Sequence, residues 1–277
     1  MEIIDAHQHF WHFQAAEYPW ISDELRLLQR DFLPEELALL YRENGISGCV
    51  AVEARGSERE NLFLLDLAEK NDFIKGIVGW MDLRFSDLEQ RLSAYADQPK
   101  IKGFRYPVQA EADVNFLLRP EWLRGMEVLG RFNYCFDLLI FPHQLGAALE
   151  LVRRFPEQRF VLDHLAKPYI KDGFMDGWQA QMEALAQLPN VWCKISGMVT
   201  EADWSGWHYA DLLPYLDVVF GTFGSDRLMF GSDWPVCTLA APYEKVKDIL
   251  ARYLVPFTKE ARVCIWAGNA RECYQLS

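Results

Sequence analysis

Short apolar runs alternate with amphipathic segments along the whole chain. The runs cover residues 3–10, 48–53, 74–83, 101–105, 134–140, 159–164, 191–195 and 228–233. Runs of this kind are typical of strands that are buried on both faces. Between them, apolar residues recur at helical spacing and predict helices at 34–45, 57–71, 86–95, 120–129, 142–155, 178–188, 209–223 and 243–254. The pattern therefore predicts eight strand-then-helix units, followed by a short helix at 269–274.

Residues at the helix ends support this division. Ser57 is followed three positions later by Glu60, and Ser86 by Glu89, so both pairs predict capping boxes at helix starts. The stretch 12–29 is rich in aromatic residues and has no clear periodicity. We expect it to form a long loop beside the mouth of the site.

The order of the elements decides the fold class. Helical crossovers between buried strands make the strands parallel. Eight such units with no Pro/Gly/Ser-rich linker favour a closed barrel over an open doubly wound sheet. The sequence therefore predicts an α/β protein in which residues 1–277 form one single-domain (β/α)8 TIM barrel.

Composition excludes several classes of partner. The chain has 28 Lys and Arg against 40 Asp and Glu, a formal net charge of −12. That balance argues against nucleic-acid or anionic-membrane binding, because both need a basic surface. The six cysteines form no Cys-x-x-Cys pair, and neither a signal peptide nor a run of transmembrane length is present. We expect reduced thiols and a cytoplasmic location; the oligomeric state stays open.

Polar residues fall at the predicted carboxyl ends of the strands, the face that carries the active site in this barrel. They are His7, His9, Glu53, Arg55, Arg105, Tyr106, Asp163, His164, Lys194, Ser196 and Asp233. Burying so many charged groups is costly without a purpose. Their coincidence on one rim predicts a functional site.

The histidines and Asp233 are the strongest candidates. His7 and His9 alternate along a strand and share one face, where two imidazoles can hold a divalent metal or position a water. His164 alone is typical of a core histidine, but beside the other two a site role is favoured. Asp233 could cap the next helix, yet that helix begins only near Pro242, which favours a functional role.

Other polar residues remain open. Asp163 precedes His164 directly, so we expect it on the opposite face of its strand, in a structural role. Glu53 could be a ligand, orient a histidine or pair with Arg105. Arg105 and Lys194 could offset carboxylates or bind substrate oxygens. His143 follows Pro142 at a predicted helix start, which favours a helix-terminal or loop role. His208 lies beyond strand seven and could overhang the mouth or sit on the surface.

Taken together, these residues resemble the amidohydrolase superfamily, and within it the sugar-lactonase branch of L-fuconolactonase-like, L-rhamnonolactonase-like and pyrone-dicarboxylate lactonases. The similarity spans essentially the whole chain. The motifs that carry it are His7-Gln-His9, Gly103-Phe-Arg105, Phe136-Asp-Leu-Leu, Asp163-His164-Leu-Ala-Lys-Pro168, Cys193-Lys194-Ile-Ser-Gly197 and Phe230-Gly-Ser-Asp233-Trp-Pro-Val236.

The resemblance implies hydrolysis of a cyclic ester. Asp233 would deprotonate a water that attacks the lactone carbonyl. His7, His9 and His164 would hold the water, the oxyanion or a metal. The proton for the leaving oxygen would come from a protonated His164 or from a metal-held water. The implied substrate-binding residues are Arg105, Lys194, Tyr106, Trp11, Trp234 and Glu53.

The resemblance also implies one divalent metal, zinc, bound by His7, His9, Asp233 and His164, although pyrone lactonases work without one. Members with two metals place a carboxylated lysine on strand four, where this chain has Arg105. That difference argues against a second metal. Two other functions stay open: a metal-dependent decarboxylase of the same superfamily, and a non-catalytic barrel that binds a small molecule.

Overall fold

A computed structural model describes residues 1–277 as an eight-stranded parallel sheet in the order β1 to β8. The strands are β1 Ile4–Gln8, β2 Gly48–Val52, β3 Ile74–Trp80, β4 Ile101–Tyr106, β5 Cys135–Leu138, β6 Phe160–Leu162, β7 Val191–Ile195 and β8 Leu228–Phe230. A parallel bridge between Gln8 and Trp234 joins the last strand's end to the first. The sheet is closed into a (β/α)8 barrel, which confirms the predicted fold class.

Eleven α-helices accompany the strands. They are α1 Pro34–Asn44, α2 Arg59–Lys70, α3 Leu88–Ser93, α4 Pro120–Leu129, α5 Leu145–Arg154, α6 Trp178–Ala186, α7 Met198–Glu201, α8 Tyr209–Phe223, α9 Tyr243–Tyr253, α10 Lys259–Val263 and α11 Asn269–Tyr274. The predicted loop at 12–29 contains a 3-10 helix, Asp23–Leu28. None of the helices combines the length and the apolar character needed to cross a lipid bilayer.

The predicted capping boxes are wrong. Helix α2 begins at Arg59 with Glu58 as its N-cap, and no side chain caps it. Glu60 turns away from the helix start because its carboxylate accepts a hydrogen bond from the backbone N–H of Ala54, at 3.0 Å. Helix α3 likewise begins after Asp87 without a side-chain cap. In both places the sequence pattern is present, but tertiary contacts use the residues differently.

The barrel interior has an apolar floor and a polar upper layer. Small and branched side chains, among them Ala6, Val52 and Val161, form the floor together with Tyr274 of α11. Above them, the same inward alternation continues into charged residues at the strand ends. The C-terminal helix therefore covers the end of the barrel opposite the candidate site.

Candidate active site

Three imidazoles converge on one carboxylate at the carboxyl ends of the strands. The Nε2 atoms of His7, His9 and His164 lie 3.9, 3.4 and 4.0 Å from Oδ1 of Asp233. The Nε2 atoms of His7 and His9 are 3.2 Å apart. All four side chains are buried. The structure thus brings together the four residues that the sequence singled out as catalytic.

The second ring nitrogen of each histidine has its own partner. Nδ1 of His9 lies 2.8 Å from the carbonyl oxygen of Val52, which can only accept, so this nitrogen carries the proton and Nε2 keeps its lone pair. Nδ1 of His7 lies 3.2 Å from Asp163. A carbonyl partner fixes the ring orientation and the tautomer of His9, whereas Nδ1 of His7 also lies 3.1 Å from the donor Nζ of Lys194. The lone pair of His9 therefore points at the cluster.

His7 reaches the interior because β1 is irregular. The pairing of β1 with β2 shifts in register between Asp5 and Gln8. Ala6 belongs to the apolar floor, yet the neighbouring His7 also faces inward, towards Asp163. A shift in register of this kind re-aims a side chain. The local irregularity thus places an imidazole where strict alternation would put it outside.

His164 is placed by a left-handed turn. Residues His164, Leu165, Ala166 and Lys167 have φ angles of 53°, 54°, 56° and 52°. Such a run is rare for residues with side chains and is typical of functional sites. Nδ1 of His164 lies 2.9 Å from Oγ of Ser196. A Cβ atom added to Gly197 would lie 2.6 Å from the same Nδ1, so only glycine leaves room for this ring.

Asp163 does not lie on the face that we expected. It has the inward orientation of Val161, two residues earlier, and contacts His7, Arg105 and Lys194. The left-handed turn then brings His164 into the same interior. Strand alternation ends at Leu162, so neighbouring side chains can point the same way. The expected face of Asp163 is wrong, whereas its contacts within a buried ionic network agree with a structural role.

The guanidinium of Arg105 donates hydrogen bonds to three oxygen atoms. Its Nε donates to Oε1 of Glu53 at 2.7 Å, and one terminal nitrogen donates to Asp163 at 2.9 Å. The other terminal nitrogen donates to the backbone carbonyl of Glu53 at 2.5 Å. Of the alternatives open for Glu53, the structure therefore favours pairing with Arg105.

Lys194 is completely buried. Its Nζ lies 2.5 Å from Asp137 and 2.9 Å from Asp163. The ammonium of Lys194 is paired with two carboxylates and has no access to solvent. The structure therefore favours the charge-offsetting alternative over the predicted contact with substrate. Asp137, inside an apolar run of β5, is a partner that the sequence analysis missed.

The aromatic wall differs from the expectation. Trp11 and Trp234 are fully buried and pack around Phe32, which favours a core role over contact with substrate. Trp20 is instead 41% exposed, and its indole N–H donates to the carbonyl of Ala54 at 2.7 Å. Sequence hydrophobicity does not separate a core tryptophan from one at the rim.

Tyr106 stays partly buried at the end of β4. Its ring stacks on Phe116, and its hydroxyl donates to Glu111 at 2.6 Å. Of the two peripheral histidines, His208 is the N-cap residue of α8, and both it and His143 are exposed. That placement agrees with the helix-terminal or loop role favoured for His143 and with the surface alternative for His208.

The site favours an ionised Asp233 beside the neutral imidazoles of His7 and His164. Burial, followed by the charge of Lys194, holds the pKa of His7 well below its ordinary value. Burial lowers the pKa of His164 to about 4. Burial opposes ionisation of Asp233, but His164 and the hydrogen bond with His9 outweigh it and lower its pKa. At neutral pH the site therefore has a carboxylate able to accept a proton.

The donor set fits one divalent metal ion. Zinc bonds of about 2.0–2.2 Å in a tetrahedron place ligand atoms about 3.3–3.6 Å apart. The distances here between the three Nε2 atoms and Oδ1 of Asp233 run from 3.4 to 4.0 Å. Arg105 lies 3.3 Å from Nε2 of His7 and Lys194 3.1 Å from its Nδ1. Two cations so near disfavour a second dication by repulsion.

Comparisons with known proteins identify the family of this chain. The sequence profile of the amidohydrolase family matches residues 4–276. An L-fucono-1,5-lactonase of Burkholderia multivorans is 40% identical over 284 residues, which cover 99% of this chain and 96% of that protein. An L-fucono-1,5-lactonase of Burkholderia ambifaria is 36% identical over 283 residues, covering 99% and 95%.

A crystal structure of a Burkholderia multivorans amidohydrolase with bound zinc superposes with a TM-score of 0.95. It is 40% identical in sequence, and the match covers 100% of both chains. The family profile and these relatives span nearly the whole chain. The chain belongs to the amidohydrolase family.

Proposed function

We propose that this protein hydrolyses the ester ring of a sugar-acid lactone, an aldonolactone such as L-fucono-1,5-lactone or L-rhamnonolactone. The observation that carries the proposal is the convergence of three imidazole Nε2 atoms on Asp233 at the barrel mouth. Relatives named L-fucono-1,5-lactonase, 40% and 36% identical, support the substrate class.

Asp233 is the general base in this proposal. Its carboxylate takes a proton from a water, which attacks the lactone carbonyl carbon. The imidazoles of His7, His9 and His164 surround this carboxylate. Because the pKa of His164 is about 4, its imidazole is neutral at neutral pH. Protonated Asp233 therefore returns its proton to the ring oxygen as the ester bond breaks.

We further propose that one zinc ion is bound by His7, His9, His164 and Asp233. The ligand atoms of His7, His164 and Asp233 lie within 4.8 Å of one another, and Nε2 of His9 lies 3.4 Å from Oδ1 of Asp233. These distances and the zinc in a relative's crystal structure support the proposal. A bound zinc ion supplies Lewis acidity at the carbonyl and lowers the pKa of a bound water. The Val52 carbonyl on Nδ1 of His9 keeps the Nε2 lone pair of His9 directed at this cluster.

Reduced cysteines support a cytoplasmic location, which we propose as well. All six cysteines are free, and five of them are buried. Free thiols are the rule in compartments kept reducing by glutathione and thioredoxin.

A pH-indicator assay of acid release from a panel of aldonolactones tests the proposal. We expect turnover of some lactones, loss of turnover on chelation and recovery with added Zn²⁺. Asp233→Asn should lower kcat by about a hundredfold or more. Asp172→Asn, on the exposed surface, is the matched control and should be neutral.

Three results would overturn the proposal. Failure of the zinc-loaded wild type to open any aldonolactone would remove the substrate class. Release of CO₂ from an aromatic acid by the same preparation would favour the decarboxylase. Unchanged ligand affinity in Asp233→Asn, with no turnover by the wild type, would favour the binding barrel.

A further inference from the structure

One lysine of the Asp163–Pro168 motif has no role in the chemistry above. Lys167 lies three residues beyond His164, and its backbone N–H donates to the His164 carbonyl at 2.7 Å. Its own φ of 52° makes it the last residue of the left-handed turn. The turn that positions the catalytic imidazole therefore also fixes the backbone from which this lysine extends.

Lys167 meets a carboxylate from the next rim loop. Its Nζ lies 3.3 Å from Oε1 of Glu201, and the two side chains are 20% and 21% exposed. Glu201 ends α7, the short helix that begins directly after Gly197 beneath His164. A hydrogen bond of 3.0 Å from the N–H of Lys171 to the carbonyl of Glu201 ties the two loops together.

An aromatic ring completes this group. The ring centroid of Phe141, just beyond β5, lies 5.5 Å from Nζ of Lys167. The three side chains thus extend from the rims of β5, β6 and β7, around His164.

Lys167 differs from Arg105 and Lys194, the two cations that the sequence analysis considered for substrate binding. Arg105 and Lys194 are buried and paired, whereas Lys167 and Glu201 keep accessible surface. An ammonium donates hydrogen bonds, and a carboxylate accepts them. A hydroxyl group can do both, and the C–H face of a sugar ring packs on an aromatic ring. A paired lysine and glutamate suit a neutral ring with several hydroxyl groups.

We propose that Lys167 and Glu201, beside Phe141, form a hydroxyl-binding subsite that selects polyhydroxylated lactones over unsubstituted ones. The inference rests on the proposed lactonase activity and assigns the specificity of the same site. In the complex, Lys167 donates to one ring hydroxyl and Glu201 accepts from a neighbouring one. The reacting carbonyl remains with Asp233 and the imidazoles.

The test compares two six-membered lactones, L-fucono-1,5-lactone and unsubstituted δ-valerolactone. The purified wild type, Lys167→Met and Glu201→Gln are assayed for kcat/KM on both. We expect each substitution to lower kcat/KM for the hydroxylated lactone by about tenfold to a hundredfold, mainly through KM, as for the loss of a charged hydrogen bond. For δ-valerolactone the change should stay within about threefold.

The rate of δ-valerolactone hydrolysis also shows whether each variant is folded. Lys171→Met, an exposed lysine four residues along the chain, is the matched control and should leave both rates unchanged. If Lys167→Met fails to fold, Glu201→Gln decides alone. Equal losses on both lactones, or no loss on either, would overturn the subsite. If the wild type hydrolysed neither lactone, the proposed function itself would be overturned. That result differs from the two results that would overturn only the subsite.

Discussion

Lys194 and Asp137 form an ion pair in the middle of the barrel, with 2.5 Å between Nζ and Oδ2 and no exposed side-chain surface on either residue. The hydroxyl of Tyr274, from the C-terminal helix, donates to the same carboxylate at 2.8 Å. Lys194 also contacts Asp163, which in turn holds His7. A continuous series of polar side-chain contacts therefore links the last helix to the candidate site.

Removal of the Lys194 charge should destabilise the protein strongly. Lys194→Met leaves Asp137 and Asp163 buried without this cation, and breaking one side of a buried pair costs about 3–5 kcal/mol. We expect a loss of that size in the free energy of unfolding, measured by urea denaturation. The double variant Lys194→Met/Asp137→Asn should recover part of it, because one unpaired carboxylate is gone. A loss below about 1 kcal/mol in the single variant would contradict this account.

Asp5 should anchor the segment that carries the catalytic carboxylate. It accepts hydrogen bonds from the backbone N–H and the hydroxyl of Ser232, at 2.8 and 2.6 Å, next to Asp233. The hydroxyls of Tyr41 and Tyr243 donate to it as well, each at 3.0 Å. Asp5→Asn puts an NH₂ group against donors and should cost about 2–3 kcal/mol of stability, as well as activity.

The control for Asp5→Asn is Tyr41→Phe, which removes one donor and should cost only about 1 kcal/mol. Thermal unfolding and lactone turnover are measured on both variants. Equal stability of Asp5→Asn and the wild type would show that the carboxylate is not needed as an acceptor.

The sequence predicts the fold well where a signal is local. The bounds of α4, β7, α8 and α11 match the predicted ones at both ends. The predicted β6 and β8 are too long, since pairing ends at Leu162 and Phe230, before the left-handed residues His164 and Asp233. Apolar patterning reports burial, and it does not report where a buried strand stops pairing.

The sequence predicts which residues share the rim, but it does not predict their partners on other strands. His7, His9, His164 and Asp233 share a rim because parallel strands bring their carboxyl ends together. The roles of two lysines are harder to predict from the sequence, because Lys194 pairs with residues on other strands and Lys167 pairs with a glutamate from another loop. Such pairings depend on tertiary geometry, which spacing along the chain does not specify.

Glu60 should make stability fall as pH rises. Burial raises the pKa of its carboxyl to about 8, against an ordinary value of 4.5. Between these values the folded chain binds more protons than the unfolded one, so the stabilisation present at low pH is lost as pH rises through the folded pKa. The slope is at most about 1.4 kcal/mol per pH unit.

Urea unfolding at pH 5, 6.5 and 8 measures this effect. Glu60→Gln cannot ionise, so its stability relative to the wild type should increase steadily across the series. Glu69→Gln, exposed on the same helix, is the control and should show a constant difference. A constant difference for Glu60→Gln would mean that this carboxyl ionises normally in the folded protein.

A single methyl group at position 197 should separate activity from stability. Gly197 has a φ of 65°, and an added Cβ would lie 2.6 Å from Nδ1 of His164. Gly173 has a φ of 64°, with no atom within 4 Å of an added Cβ. Both alanine variants carry the same backbone penalty, about 1 kcal/mol. Only Gly197→Ala displaces the imidazole, so it should lower kcat/KM by about tenfold to a hundredfold, whereas Gly173→Ala should leave it unchanged. Urea unfolding and lactone turnover on the two variants test this, and equal turnover would show that the His164 ring is free to shift without loss of function.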